Sequence, residues 1–329
     1  MDIVRCWRDV PPELKGAALA IGNFDGVHRG HQEVLGEAIR IARGEGLRAG
    51  AVIFEPHPRE LFAPDTPFFR LTPLPLKLEL LKALGLDQAF VIPFDRDLSS
   101  LSGEAFATEV VAKGLGASHV VVGHDFSYGK GRSGTTAELA VLGRVLGFGV
   151  DVVEPVGAGA TIFSSSRIRE HLRQGETREA ADQLGYWWRV RGLVSEGAGR
   201  GKGLGFPTLN LPLAPGQDVR HGIYAMRVAH DGKRHPAAGY IGSRPTFGAG
   251  EPMLEAYLLD FEGDLYGHEV EVEFIAFLRP DATFASADGL AEQMRRDCEQ
   301  ARAVMKKIDA DDPMRRFPIP RAFAHAPST

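Results

Sequence analysis

The chain has 329 residues, 44% hydrophobic and 25% charged, with a formal net charge of −5 at pH 7. That length suits two domains rather than one, and the apolar share is enough for two packed cores. The acidic excess leaves no basic footprint for nucleic acid, no apolar run is long enough for a membrane span, and residues 1–16 lack the apolar centre of a secretory signal. The only cysteines, Cys6 and Cys298, lie far apart without metal spacing, so the expected compartment is the reducing cytoplasm.

Apolar runs at 17–22, 47–54, 88–94, 118–123 and 148–156 read as buried strands. Helical windows separate them at 31–46, 75–85, 103–116 and 135–147, several closed by a glycine suited to a C-cap. Alternating strand and helix predicts a doubly wound parallel sheet, whose ligands sit beyond the carboxyl ends of the strands. The stretch "GNFDGVHRGH", 22–31, lies at such an end.

Glycines 22, 26 and 30 allow close main-chain approach, and a helix starting near His31 would aim free N–H groups at an anion. His28 and His31 are three apart and share a face if that helix forms. The residues alone leave three readings: a phosphate cradle with two imidazole donors, a plain tight turn, or a histidine pair for a metal, which has no third ligand nearby.

Beyond about residue 185 the texture becomes β-rich. Asp231-Gly232 and Glu262-Gly263-Asp264 read as hairpin turns, predicting a small antiparallel barrel. An amphipathic helix follows, with Leu290, Met294, Cys298, Ala301 and Met305 at near-helical spacing. Trp187 and Trp188 read as strand residues facing a core and its edge. The expected domains are 1–184 and 185–309, with 310–329, Pro-rich and aperiodic, as a loosely held tail. The segment 197–205 carries five glycines in nine residues with Arg200 and Lys202 among them, and matches neither a Walker loop nor a dinucleotide fingerprint. It fits a mobile loop or a flap over phosphates. In the following "FPTLN", Thr208 and Asn210 share a face of an extended strand, an oxygen pair suited to magnesium completed by ATP and water.

"GNFDGVHRGH" resembles the G-x-F-D-G-x-H-x-G-H signature of the nucleotidylyltransferase module in bacterial bifunctional riboflavin kinase/FAD synthetases. The resemblance continues in order through "FEPHP" (54–58), "FRLTPLPLKLELL" (69–81), "GHDFSYGKGRSG" (123–134) and "SSSRIRE" (164–170). It implies that Gly22, Asn23, Phe24, Asp25, Gly26, His28, Gly30 and His31 line ATP, with the histidines stabilising the transferring phosphate. It implies that Ser164, Ser165, Ser166 and Arg169 hold the outgoing pyrophosphate, a task that suits the planar fork of arginine. Pro56, His57, Pro58, Asp125 and Tyr128 match positions near the flavin. Ser166 stands for the family's usual threonine and keeps the hydroxyl.

The second half resembles the riboflavin kinase module of the same family in "GRGKGLGFPTLN", "HGIYAMRV", "GYIGSRPTFG" and "LEAYLLDFEGDLYGHEVEVEFIAFLRP". The resemblance implies that Gly199, Arg200, Gly201, Lys202, Gly203 and Gly205 cover ATP as a flap. Thr208 and Asn210 would hold Mg2+ with ATP, and Glu255 would act as base toward the flavin's ribityl hydroxyl. Read without it, Glu255 is a solvent-facing residue of an alternating strand. Leu209 replaces the family's alanine and Tyr240 its asparagine; alternation turns Leu209 away from the metal pair.

The whole therefore implies an enzyme with small-molecule partners, making FMN and ADP from riboflavin and ATP, then FAD and pyrophosphate from FMN and ATP. The narrower alternative is an FAD synthetase whose barrel binds flavin without phosphorylating it. A non-catalytic flavin sensor would need neither base nor histidines, and an RNA-binding barrel would need a basic, aromatic surface that the sequence lacks.

Overall fold

The computed structural model describes residues 1–159, 161–195, 208–243 and 252–324, in two compact units, Met1–Ser165 and Ser166–Thr329. The six-stranded sheet of the first unit comprises β1 (Asp2–Val4), β2 (Ala18–Ile21), β3 (Ala49–Glu55), β4 (Gln88–Pro93), β5 (His119–Gly123) and β6 (Gly149–Val153). Every pairing is parallel, in the order β1-β4-β3-β2-β5-β6. Such strands are covered on both faces, hence the unbroken apolar runs; Leu19, Ile21, Val52, Phe90, Val120 and Val122 are all buried in one core. Helices α1 (Arg29–Glu45), α2 (Leu74–Ala83) and α3 (Thr136–Leu146) lie between strands. Gly46 and Gly147 end α1 and α3 at φ 70° and 87°, a left-handed cap that a β-carbon disfavours. The chain runs from β2 to β3 and β4 on one side, then returns to place β5 on the other side of β2. The turn after β2 thus leaves the sheet where strand order reverses, the place where open α/β sheets hold ligands.

In the second unit α4 (Ser165–Gln174) and α5 (Thr177–Leu184) precede a six-stranded antiparallel sheet. Its strands are β7 (Arg189–Leu193), β8 (Leu209–Pro212), β9 (Gly222–His230), β10 (Lys233–Ser243), β11 (Pro252–Leu258) and β12 (Glu269–Arg279), in the order β7-β12-β9-β10-β11-β8. A bridge from Ser195, just beyond β7, to Asn210 of β8, with Ser195 N donating to the Asn210 carbonyl at 2.9 Å, brings the sheet nearly to closure. Asp231 and Gly232, both at positive φ, join β9 to β10 as a tight hairpin. Helix α6 (Ala287–Ala310) starts at Ser286, whose hydroxyl accepts from Gly289 N, and buries Ala291, Cys298, Ala301 and Met305.

The structure differs from the sequence-based expectation at four places. Glu262-Gly263-Asp264 is no hairpin turn, because β11 pairs with β8 and β10 while β12 pairs with β7 and β9. Helices α4 and α5 belong to the second unit, where Thr177 Oγ1 donates to the Ile275 carbonyl at 2.9 Å and Arg220 N to that of Leu172 at 3.0 Å. Both tryptophans are buried immediately before β7, Trp188 against Phe274. Residues after 310 are not a loose tail as far as they are described. A 3-10 turn, Pro313–Arg316, and helix α7 (Pro318–Ala324) bury Met314 and Ile319. Asp312 anchors them, accepting from Trp187 Nε1 at 3.0 Å, Met314 N at 3.0 Å and Arg227 Nη2 at 3.2 Å. Arg227 also donates to Glu273 at 2.6 Å. Removing one member of such a buried set strands an ion, so Asp312→Ala is expected to destabilise the second unit by about 3–5 kcal/mol. Denaturant unfolding followed by tryptophan fluorescence measures this; an unchanged midpoint would disprove the anchor.

Candidate active sites

The turn between β2 and α1 is held in a conformation that its sequence alone would not keep. Phe24, Gly26 and Val27 sit at φ 47°, 88° and 38°, so two non-glycine residues occupy the left-handed region. The buried Asp25 carboxylate fixes them from inside, accepting from Leu71 N at 3.1 Å and Thr72 N at 3.0 Å. Gly26 N donates to Thr72 Oγ1 at 2.9 Å, and Ser165 Oγ donates to the Asp25 carbonyl at 2.7 Å. A β-carbon on Gly22 would stand 3.0 Å from the Phe24 ring, and one on Gly30 3.1 Å from His28. These glycines give way to side chains.

His28 is the N-cap of α1, its Nδ1 accepting from His31 N at 3.3 Å. The two rings stack with centroids 3.5 Å apart. Burial holds the His31 imidazole well below its ordinary pKa, with His28 and then Lys77 adding to the effect. His31 is therefore a neutral donor at pH 7. Its Nδ1 and the Asn23 Oδ1 are buried without a hydrogen-bond partner among the described residues, an unusual state for polar atoms in a folded interior and one that a bound group relieves. Neutral imidazole and helix N-terminus together make an anion-receiving turn, and the Asn23 oxygen beside them awaits a donor from a ligand.

Two residues around this turn escaped the sequence reading. Thr72 is fully buried against Asp25, and Lys77, 2% exposed on α2, donates from Nζ to the Asn23 carbonyl at 2.7 Å. The signal was a lysine inside the leucine-rich run "LPLKLELL".

Ser165 lies beside this turn, and it and Ser164 fall in the first unit, while Ser166 and the buried Arg169, on α4, fall in the second. Pro56, His57 and Pro58 follow β3. There His57 caps a short helix by accepting from Arg59 N at 3.2 Å, and its ring lies 4.5 Å from that of Phe68. Arg70 donates to Glu55 at 2.6 Å and to Glu60, bracing that loop. Asp125 is exposed beyond β5, whereas Tyr128 is buried, with burial pushing its phenol up to about 12. Tyr128 lines an open cavity of about 530 Å³ with Gly103, Glu104, Gly134, Glu138 and Val141.

In the barrel, antiparallel register puts Asn210 opposite Glu255 and Glu255 opposite Tyr240. Residues directly opposite share a face, with β-carbons about 4.5–5.5 Å apart, so one row crosses β8, β11 and β10. Asn210 is buried and Glu255 half-buried, not solvent-facing. The Asn210 amide nitrogen donates to the Thr208 carbonyl at 3.4 Å, which leaves its oxygen for a ligand. Leu209 pairs with Ala256 on the opposite face and is 6% exposed. Tyr240 donates to Asp281 at 3.4 Å. Gly199, Arg200, Gly201, Lys202, Gly203 and Gly205 lie outside the described residues. Among the described residues no group of three His, Cys, Asp or Glu side chains could hold a metal.

A family model for FAD synthetase matches residues 10–167, and one for riboflavin kinase matches residues 184–305. The bifunctional riboflavin kinase/FMN adenylyltransferase of Pseudomonas fluorescens is 37% identical, over 92% of this chain and 98% of its own. That of Listeria monocytogenes is 35% identical over 92% and 95%. A crystal structure titled as a macrolide-efflux protein from Streptococcus pneumoniae superposes with a TM-score of 0.80 at 28% identity, covering 91% of this chain and 98% of the other. Among the described residues of this chain, no helix is long and apolar enough to cross a membrane.

The low His31 pKa has a sign that can be tested. A folded value below the unfolded one near 6.5 contributes stability that is present above pH 6.5 and lost as pH falls through the window beneath it. Between pH 7 and 5 the wild-type first unit should lose up to about 1.4 kcal/mol per pH unit more than His31→Gln. Parallel slopes in denaturant titrations would contradict the buried, neutral assignment.

Proposed function

We infer the role of each site from one premise: the chain belongs to the bifunctional riboflavin kinase/FMN adenylyltransferase family. It phosphorylates riboflavin to FMN and adenylylates FMN to FAD, with ATP as co-substrate in both steps. Both modules match, which favours the bifunctional enzyme over an FAD synthetase with an inert barrel.

The turn of 22–31 receives the ATP triphosphate, and adenylyl transfer there needs no nucleophile from the protein. A phosphate oxygen of FMN attacks the α-phosphorus, and pyrophosphate leaves. His28 and His31 donate hydrogen bonds to oxygens that gain charge, in a water-poor turn where such bonds are worth most. The orphaned Asn23 oxygen, an acceptor, takes a hydrogen bond from an N–H or O–H of the nucleotide rather than meeting its phosphates. Asp25 spends its carboxylate on Leu71 and Thr72, so it holds the turn in shape rather than touching the nucleotide. Ser164, Ser165, Ser166 and Arg169 take the pyrophosphate. Pro56, His57, Pro58, Asp125 and Tyr128 border the flavin, for which the Tyr128 cavity supplies an aromatic wall.

In the barrel, Glu255 takes the proton from the ribityl 5′-hydroxyl, whose oxygen attacks the γ-phosphorus while ADP leaves. The observation that supports this reading is the register of Glu255 with Asn210, a carboxylate and an amide side by side on one face. The Thr208 hydroxyl and Asn210 amide fit Mg2+, a hard cation that takes few protein oxygens when nucleotide phosphates complete its shell. Bound there, Mg2+ would offset charge on the phosphates being separated. The cytoplasm, where ATP is plentiful, is the compartment in which two free cysteines fit.

Glu255→Gln should abolish FMN formation and leave adenylylation of supplied FMN nearly intact. His28→Ala combined with His31→Ala should lower FAD formation by about 100-fold or more and spare the kinase. Chromatography of products from riboflavin or FMN with Mg–ATP separates the two. A folded Glu255→Gln enzyme that still makes FMN, or a double histidine variant with full FAD output, would refute the assignments. Thr208→Ala should raise the magnesium concentration needed for phosphorylation alone; identical magnesium titrations would remove it from the metal site.

A further inference from the structure

Lys77 is a basic residue, deeply buried and absent from the chemistry described above. It interrupts the packed face of α2, where Leu76, Leu78, Leu80 and Leu81 are buried around it. Removing an ammonium from water is expensive unless partners compensate it, and a neutral side chain could fill the same volume. Its one described hydrogen bond runs from Nζ to the Asn23 carbonyl at 2.7 Å. That carbonyl immediately precedes Phe24, where the backbone first turns left-handed.

We propose that Lys77 is a positioning residue for adenylyl transfer: by gripping the Asn23 carbonyl from behind the turn, it sets where the Asn23 amide and the His31 imidazole meet the nucleotide. The proposal rests on the reading of this turn as the triphosphate site. The turn is held on three sides. Asp25 ties its middle to Leu71 and Thr72, Ser165 holds the Asp25 carbonyl, and Lys77 holds its entry at Asn23. Among the described residues of the turn, the two orphaned polar atoms flank the Asp25 clamp, Asn23 Oδ1 before it and His31 Nδ1 after it on α1. A shift of the Asn23–Phe24 peptide moves the Asn23 side chain directly and reaches His31 through the Phe24 ring, whose centroid lies 5.3 Å from that of His31, while the Asp25 clamp stays in place. Misplacement of about 1 Å is enough to cost about 100-fold in rate.

The charge of Lys77 has a second effect on the same groups. Burial, the largest effect, holds the Lys77 ammonium below its ordinary pKa and Arg70 adds to this, while Asp25 in the turn and Glu55 and Glu60 beside β3 work the other way. His31 feels both His28 and Lys77 as like charges, which helps keep its imidazole neutral and therefore a donor through a single N–H. A neutral hydrogen-bonding residue in place of Lys77 would preserve the grip and remove this effect.

The test uses the full chain with Lys77→Met, which removes grip and charge, and Lys77→Gln, which keeps a donor. For Lys77→Met, kcat for FAD formation should fall by about 10- to 100-fold with the KM for ATP changed by less than about threefold. For Lys77→Gln, most of kcat should return, while the His31 imidazole, followed by NMR in the ATP-free protein, should titrate at higher pH than in the wild type. Thermal unfolding of each variant establishes that it is folded. A folded Lys77→Met enzyme with wild-type kcat, or one whose loss lies wholly in the KM for ATP, would overturn the positioning role. An unmoved His31 titration in Lys77→Gln would overturn the electrostatic part. If the double histidine variant retains full FAD output, the triphosphate reading itself fails. If that variant is inactive and Lys77→Met is not, only the present inference does.

Discussion

A buried carboxylate decides the shape of the first site. Asp25 lies at the tightest part of the turn after β2 and accepts from two consecutive amides of a segment 46 and 47 residues further along the chain. Without that clamp, Phe24 and Val27 would have no reason to stay in the left-handed region. With it, the helix N-terminus, the stacked imidazoles and the Asn23 amide are all fixed before any ligand arrives. Preorganisation of this kind is what makes hydrogen-bond donors effective toward developing charge. Phosphoryl and adenylyl transfer ask little else of a protein, since the bonds made and broken belong to the substrates.

The barrel achieves a comparable order by register alone. Antiparallel pairing puts Asn210, Glu255 and Tyr240 in one row, and the Ser195–Asn210 bridge brings β8 back to the end of β7. Leu209 and Ala256 occupy the other face of the same strands, so the residues that depart from the family pattern fall into two kinds. Leu209 only fills the core. Tyr240 stands opposite Glu255 and leans to Asp281, on the face that Glu255 and Asn210 share.

Much of this was legible in the sequence because the responsible forces are local. The strands of the parallel sheet are unbroken apolar runs, α1 and α3 end at glycines in left-handed conformation, and Asp231-Gly232 makes the hairpin its dipeptide predicts. What was not legible depends on distant partners. Residues 313–324 look aperiodic, yet Asp312 finds Trp187 and Arg227 more than 80 residues earlier and holds them in place. Glu262-Gly263-Asp264 has the residues of a hairpin turn, but both edges of β11 were already taken. β1 is three residues long and pairs only with β4, too short for any pattern to reveal. Within the site, the motif marked Asp25 as important without saying that its partners are backbone amides. Lys77 was hidden among leucines.

The central claim is that one chain carries two separate ATP-dependent sites acting in sequence on a flavin. The direct measurement is acid-quenched chromatography of the wild-type chain over time, starting from riboflavin, ATP and Mg2+. The account predicts that FMN rises first and FAD follows at its expense, with one ADP per FMN formed and one pyrophosphate per FAD. Riboflavin left unconverted, while supplied FMN still becomes FAD, would contradict it.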